Sequence, residues 1–382
     1  MVRTPQHTNR REICNQASES FYLCAHVKGH MLMRSRILLF AFFAWCVVTM
    51  VIAEQLDEQI LHDPPPADED ALAQVTLTIE EMALGGESRS LDRLHLVFET
   101  NPEWREIVAV AIAKYSETQS RRAQDWRLLV RSLAVVEGED ARTIMRALLG
   151  FRQRSTKPRW QRQLILLGLQ LGDNSAEDTV NLLKHWTGVK VEPNEQSENA
   201  MANWQAWFAK TYPDQPTAVL PQLPAEAKWQ YEALRHFLGG NEGVLGDAQR
   251  GRSVFERADC FKCHRYGKHG EVLGPDLTQI SGRMQRKEIL HAILFPSELV
   301  PDQFLTYSVV IVDGRTLTGI VGRSGSDEVV ILQTNGEKVT LKKDQIEESV
   351  LNKQSAMPVG TLERLTKQEI ADLFAFMQSR SE

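Results

Sequence analysis

From about residue 71 to 212, apolar residues recur at i, i+3, i+4 and i+7 in segment after segment, a period that only amphipathic helices satisfy. Trp104, Ile107, Val108, Ala111, Ile112 and Tyr115 line one face, and Trp126, Leu129, Val130 and Leu133 line the next. Ile144, Met145, Leu148 and Leu149 follow, then Leu164, Leu167 and Leu171, then Thr179, Val180 and Leu183. Superposing Trp126 on Trp160 also superposes Leu133 on Leu167 and Gly138 on Gly172, so helix, turn and helix recur. A single amphipathic helix cannot hide its own apolar stripe. Repeated pairs therefore point to a small α-solenoid of HEAT-like type, with an irregular helical bundle as the alternative.

The flanks carry different signals. Residues 37–53 form an apolar run preceded by Arg34 and Arg36 and ending in Val51-Ile52-Ala53, which reads as an export signal. The run is longer than a typical signal core and shorter than a comfortable membrane span, so cleaved signal and uncleaved anchor both fit. Translation can start at Met1, Met31 or Met33. Residues 54–70 are acidic and interrupted by Pro64-Pro65-Pro66, the composition of a tether that buries nothing. Tyr212 to Pro224 closes the repeats, one more helix is expected over 225–238, and Gly239-Gly240 marks a flexible joint before a last domain over 247–382. At 382 residues the chain is too long for one ordinary core, so two globular units are expected. The net charge of -6 supplies no broad basic surface for phosphates, which argues against nucleic acid as a partner.

Of the five cysteines, Cys14, Cys24 and Cys46 precede the end of the apolar run, leaving Cys260 and Cys263 for the mature chain. Cys260-Phe261-Lys262-Cys263-His264 is a Cys-x-x-Cys-His sequence, the attachment signature of haem c. On one turn the two thiols can reach the two vinyl groups of a porphyrin, and His264 is then held beneath the iron as an axial ligand. A zinc site would need a second ligand pair, and a thioredoxin-like pair would need alternating strands and helices around it; the sequence offers neither. Upstream, 247–258 reads as a helix with Gly251 and Phe255 on one face. Downstream, a carbonyl of Gly274-Pro275-Asp276-Leu277 could accept the Nδ1 proton of His264. Thr366 and Glu369 make a capping box for a final helix that presents Leu373, Phe374, Phe376 and Met377, with Gly251 allowing the two helices to cross closely.

These residues resemble a class I cytochrome c fold, and 247–382 is similar to the haem-binding domain at the C-terminus of many exported planctomycete-type proteins. The shared motifs are G-x-x-x-F, C-x-x-C-H, G-P-D-L, P-S, D-Q, D-G-R, T-G and S-x-M-P-x-G, each present in this chain. The resemblance implies one covalently bound haem c whose pocket includes Pro275 and Leu277, with Met357 of Ser355-Ala356-Met357-Pro358 as the second axial ligand to iron. Met284, His269, His291 and Met377 are the other sulfur or imidazole candidates. Met284 and His291 lie on or near a helix over 285–294, and Met377 reads as core.

Between that helix and Met357 the period changes to two. Residues 304–312, 315–322, 328–334 and 337–341 read as short strands, with Asp313-Gly314 and Asn335-Gly336 as hairpin turns. A meander this short suggests a small SH3-like β module inserted into the cytochrome over 304–346, there to shield a haem edge, to dock a partner or to position the Met357 loop.

The function expected is electron transfer, with an exported dehydrogenase or another cytochrome as redox partner. Lys262, Arg265, Lys268, Arg283, Arg286 and Lys287 cluster around the haem loops, which suits an acidic partner or plain solvation. A haem enzyme acting at the iron and a scaffold whose repeats recruit another protein are the alternatives. Glu347, Glu348 and Asp372 read as solvated surface rather than a catalytic pair.

Overall fold

Each helix of the N-terminal half hides its apolar stripe against neighbours that follow in the chain. In the computed structural model, which describes residues 60–379 other than 62, 67, 120, 173–175, 190–198, 299, 325, 334–336 and 353, these helices form two layers. The expected signal at 37–53 and the Asn335-Gly336 turn lie outside the described residues. α1 (Glu69–Leu84), α3 (Arg105–Thr118), α5 (Gly138–Leu149) and α7 (Glu177–Thr187) contact one another in that order. α2 (Ser88–Thr100), α4 (Ala123–Ser132), α6 (Pro158–Leu171) and α8 (Ala200–Thr211) make the other layer. Bonds between residues 30 to 36 positions apart stitch successive helices within each layer: His95 to Asp125 at 2.7 Å, Gln163 to the Leu133 carbonyl at 3.0 Å, His185 to the Phe151 carbonyl at 3.0 Å and Arg142 to Asp178 at 2.9 Å. Between the layers lie Leu94, Val108, Ile112, Leu129, Ile144, Leu148, Leu164 and Leu183. Trp126 is only half-buried, and Leu128 takes the inner position beside Leu129.

The proline-rich segment before α1 is not a free tether. Ile60 is fully buried, and the Asp63 carbonyl accepts from Asn101 Nδ2 and from Trp104 Nε1, each at 2.8 Å. The acidic composition concealed this because backbone carbonyls, which no composition reports, make the contacts.

After α8 the chain runs without regular structure to α9 (Tyr231–Gly239), so the helix expected from 225 begins six residues later. The glycine pair behind it leads directly into α10 (Asn241–Val244), which packs on the last helix. Arg286 donates to the carbonyls of Leu238 and Gly243, at 2.9 and 3.2 Å. The expected flexible joint is therefore a packed corner.

α11 (Ala248–Arg257) and α13 (Lys367–Gln378) form the tightest helix pair of the C-terminal half. Asp247 caps α11, and Thr366 and Glu369 close the capping box of α13 as the sequence predicts. At the crossing a Cβ on Gly251 would lie 1.9 Å from the Asp372 carbonyl oxygen, so only glycine fits. Phe255 and Tyr266 pack on Phe376, with ring centroids 5.4 and 4.4 Å apart. Asp372 is a correction to its reading as solvated surface. It is 2 % exposed, and Arg250 grips its two oxygens at 2.7 and 2.8 Å while the Asp247 N–H donates at 2.8 Å. These donors, Arg250 foremost, hold its carboxyl down to about 2.

The β module follows α12 (Arg286–Leu294) and has five strands rather than four: β1 (Thr306–Ile311), β2 (Thr316–Ser324), β3 (Glu328–Gln333), β4 (Lys338–Lys342) and β5 (Ile346–Leu351). All pairs are antiparallel, in the order β4-β3-β2-β1-β5. β5 escapes pattern reading because it is an edge strand whose residues, Glu347 and Glu348 among them, are mostly exposed and show no apolar alternation. Val309, Ile311, Val329, Ile331 and Leu341 form the module's own core.

The helical array and the C-terminal half share one compact unit, Ile60–Glu382. Their seam is ionic. Lys287 meets Glu106 at 2.7 Å, Arg162 meets Glu298 at 2.6 Å, the Arg286 N–H donates to Glu103 at 3.0 Å, and Gln285 Nε2 donates to the Pro102 carbonyl at 2.8 Å. Burial pushes the carboxyls of Glu103, Glu106 and Glu288 up and the guanidinium of Arg286 down, the signature of charges taken out of water and then paired. Among the described residues, no helix is long and apolar enough to cross a membrane.

Asp372 also makes stability depend on pH. Its folded pKa lies below the unfolded value, so its contribution is present above about pH 4 and is lost as pH falls towards about 2. Asp372→Asn should cost on the order of 1–2 kcal/mol at neutral pH, a figure reduced because Arg250 is exposed, and the gap to the parent chain should close as pH drops through that window. Urea unfolding at pH 7, 4 and 2.5 measures it.

Candidate functional site

The end of α11 builds the site. Asp259 takes a left-handed conformation at φ 61°, the one positive φ outside glycine among the described residues, and turns the chain sharply out of the helix. A 3₁₀ turn over Cys260–Lys262 follows, in which the His264 N–H donates to the Cys260 carbonyl at 2.9 Å. Both thiols and the imidazole thus stand on one turn.

A second loop holds the imidazole. The Gly274 N–H donates to the Cys263 carbonyl at 2.7 Å and the Leu277 N–H to the Arg265 carbonyl at 2.8 Å. His264 Nδ1 lies 2.8 Å from the Pro275 carbonyl oxygen. A carbonyl only accepts, so Nδ1 carries the proton and Nε2 keeps its lone pair for a ligand. Gly274 permits the approach: a Cβ there would lie 2.7 Å from Cε1 of the ring. Burial lowers the His264 pKa, which keeps the ring neutral and able to ligate.

Both cysteines are free thiols and half-buried. Burial pushes Cys260 up to about 11 and raises Cys263 as well. A thiol-disulfide catalyst needs the opposite shift. Among the described residues no group of three or more His, Cys, Asp or Glu could hold a metal, so these cysteines have no partners for a closed zinc site.

Cys260, Cys263, His264, Pro275, Leu277 and Met357 all border one cavity of about 1450 Å³, larger than the roughly 300–1,000 Å³ of ordinary small-molecule sites. Ile289, Ile293, Leu362 and Leu373 give it apolar walls, and Leu166 and Val136 of the helical array and Ile320 and Leu332 of the β module reach it as well. A neutral imidazole with a free Nε2, two thiols one turn away, a thioether loop and apolar walls suit a covalently tethered tetrapyrrole iron.

The remaining ligand candidates separate. His269 is exposed and accepts from Arg252 at 3.0 Å. His291 borders the cavity, its ring packed edge-on to Tyr231 and tilted against Phe295, with centroids 5.6 and 4.9 Å apart. Met377 is buried in the core, and Met284 packs against that core; both border the cavity. Met357 is half-buried on the loop between β5 and α13, and its N–H donates to Ser355 Oγ at 3.1 Å.

Half of the basic cluster around these loops is ion-paired. Lys262 pairs with Asp259 at 2.9 Å, Arg265 with Asp276 at 2.9 Å and Lys287 with Glu106, while Arg286 is occupied by backbone carbonyls. The positive rim for an acidic partner is thus weaker than the sequence suggests. Sequence reasoning had Ser297 only as part of the P-S motif and missed its contact, and it missed Trp229 and Lys228; these three hold the Met357 loop from outside. Nothing in the local pattern of those residues points across more than fifty positions of chain.

Compared with protein-family models the chain matches none, and compared with curated proteins it matches none. The likeness of 247–382 to the planctomycete-type haem-binding domain therefore rests on its motif residues alone.

The raised thiol pKa values set an order of reactivity. In chain prepared without haem attachment, iodoacetamide at pH 8 should label Cys263 before Cys260, and both more slowly than free cysteine, by about tenfold or more for Cys260. Timed peptide mass spectrometry reads the order directly.

Proposed function

We propose that this chain is an exported mono-haem c-type cytochrome that transfers electrons, with thioether bonds at Cys260 and Cys263 and with His264 and Met357 as axial ligands. In this reading the C-terminal half is a class I cytochrome c fold of the planctomycete type carrying an SH3-like insertion, and the two-layered helices are a HEAT-like solenoid. One observation carries it: the Cys-x-x-Cys-His turn presents an imidazole whose Nδ1 is bonded to the Pro275 carbonyl, at the wall of a cavity that Met357 also borders.

Bound there, haem supplies one-electron chemistry at iron. The chain does the rest. Cys260 and Cys263 tether the ring, the Pro275 carbonyl orients His264 and strengthens it as a donor, and Leu277, Ile289 and Leu373 keep water out of the pocket. Met357 and His264, as thioether and imidazole donors, would hold the iron and would together favour its reduced form, raising the potential. The basic residues and apolar run before residue 54 support export, and an exported dehydrogenase or a second cytochrome is the redox partner in this reading.

Protein matured with its haem-attachment apparatus should keep its pigment through acid-acetone extraction and stain for haem after denaturing electrophoresis, and the double variant Cys260→Ala/Cys263→Ala should do neither. Colourless mature protein would sink the reading. Met357→Ala should abolish the far-red sulfur-to-iron band of the oxidised form and lower the midpoint potential in a redox titration. Because Lys262, Arg265 and Lys287 are paired within the chain, partner reduction measured by stopped flow should change less than about tenfold between low and high salt.

A further inference from the structure

We infer that Ser297 and Ser355 are positioning residues for the Met357 thioether, and that the β module is the latch that brings Ser355 back to Ser297. The inference rests on the reading above, that Met357 faces iron. The bonds form a chain. The Asn352 N–H donates to the Thr306 carbonyl at 2.8 Å as β5 ends, and Thr306 Oγ donates to the Gln354 carbonyl at 3.4 Å. The Ser355 N–H donates to Ser297 Oγ at 3.0 Å, and Ser355 Oγ accepts from the Met357 N–H at 3.1 Å. Ser297 lies just beyond α12, whose Ile289 and Ile293 wall the cavity, so the latch ties the loop to that wall.

The pairing of β1 with β5 makes this geometry. Tyr307 is opposite Leu351 and Ser308 opposite Val350, which brings the two ends of the insertion together and delivers Gln354 and Ser355 beside the segment that entered it. The far end of the loop is held separately: Trp229 Nε1 donates to the Leu362 carbonyl at 3.0 Å and Lys228 Nζ to the Leu365 carbonyl at 2.7 Å. A thioether is an uncharged, weak ligand, so its residence at iron depends on how firmly its loop is already placed. The two serines act through Met357 and touch no reacting atom themselves.

The test uses full-length protein with covalent haem and compares Ser355→Ala, Ser297→Ala, Ser355→Thr and the parent. Three readings are taken: the temperature at which the far-red band disappears, the rate at which exogenous imidazole displaces the native ligand from ferric haem, and the urea midpoint of global unfolding. Each alanine variant should lose the band at lower temperature and take up imidazole about fivefold faster, the change expected for one lost hydrogen bond, with the urea midpoint little moved. Threonine keeps the acceptor oxygen and should behave like the parent. Alanine variants that match the parent in both haem readouts, a threonine variant as impaired as alanine, or band loss that merely tracks global unfolding would overturn the inference. A parent protein with covalent haem but no far-red band fails differently: it removes Met357 from the iron and so refutes the underlying reading.

Discussion

The close crossing of α11 and α13 is the constraint on which the rest depends. It exists because Gly251 leaves room for the Asp372 carbonyl and because the Asp372 side chain is satisfied by Arg250 and the Asp247 N–H. The Cys-x-x-Cys-His turn springs from the end of α11, and the Met357 loop runs into the start of α13. Bringing those two helices into contact therefore brings both sides of the candidate site to one cavity. A side chain at position 251 would separate the imidazole turn from the thioether loop without touching either.

The seam between the helical array and the C-terminal half has a different character. It is built from Arg162, Lys287, Glu106, Glu103 and Gln285, groups that are costly to bury and tolerable only when paired. Such a seam fixes register more than it adds stability, because a shifted arrangement would strand a charge. It also lets the helical array border the cavity, so these helices help to wall the site.

The β module resolves along the same lines. Its core of Val309, Ile311, Val329, Ile331 and Leu341 is self-sufficient, and its two ends meet through β1 and β5. An insertion whose ends meet leaves its host undisturbed and here hands the chain back beside Ser297. The rim charges Lys262 and Arg265 are spent on Asp259 and Asp276, so the basic residues near the turn present a weaker positive field than their number implies.

What the sequence determined by itself was whatever short-range physics writes into neighbouring residues. The helical stripes, the Cys-x-x-Cys-His turn, the capping box at Thr366 and four of five strands were legible because each depends on residues within a turn or a hairpin of one another, and the Gly251 crossing was legible from the glycine itself although its partner Asp372 is distant in the chain. That a carbonyl of the 274–277 loop meets His264 was legible for the same reason, and the structure makes it that of Pro275. Tertiary structure alone decided the burial of Ile60 and Asp372, the packed corner after Gly239, the edge strand β5 and the bonds from Ser297, Trp229 and Lys228 to the Met357 loop. Those outcomes turn on backbone carbonyls and on groups far apart in the chain. No local pattern encodes a partner that folding itself must bring near.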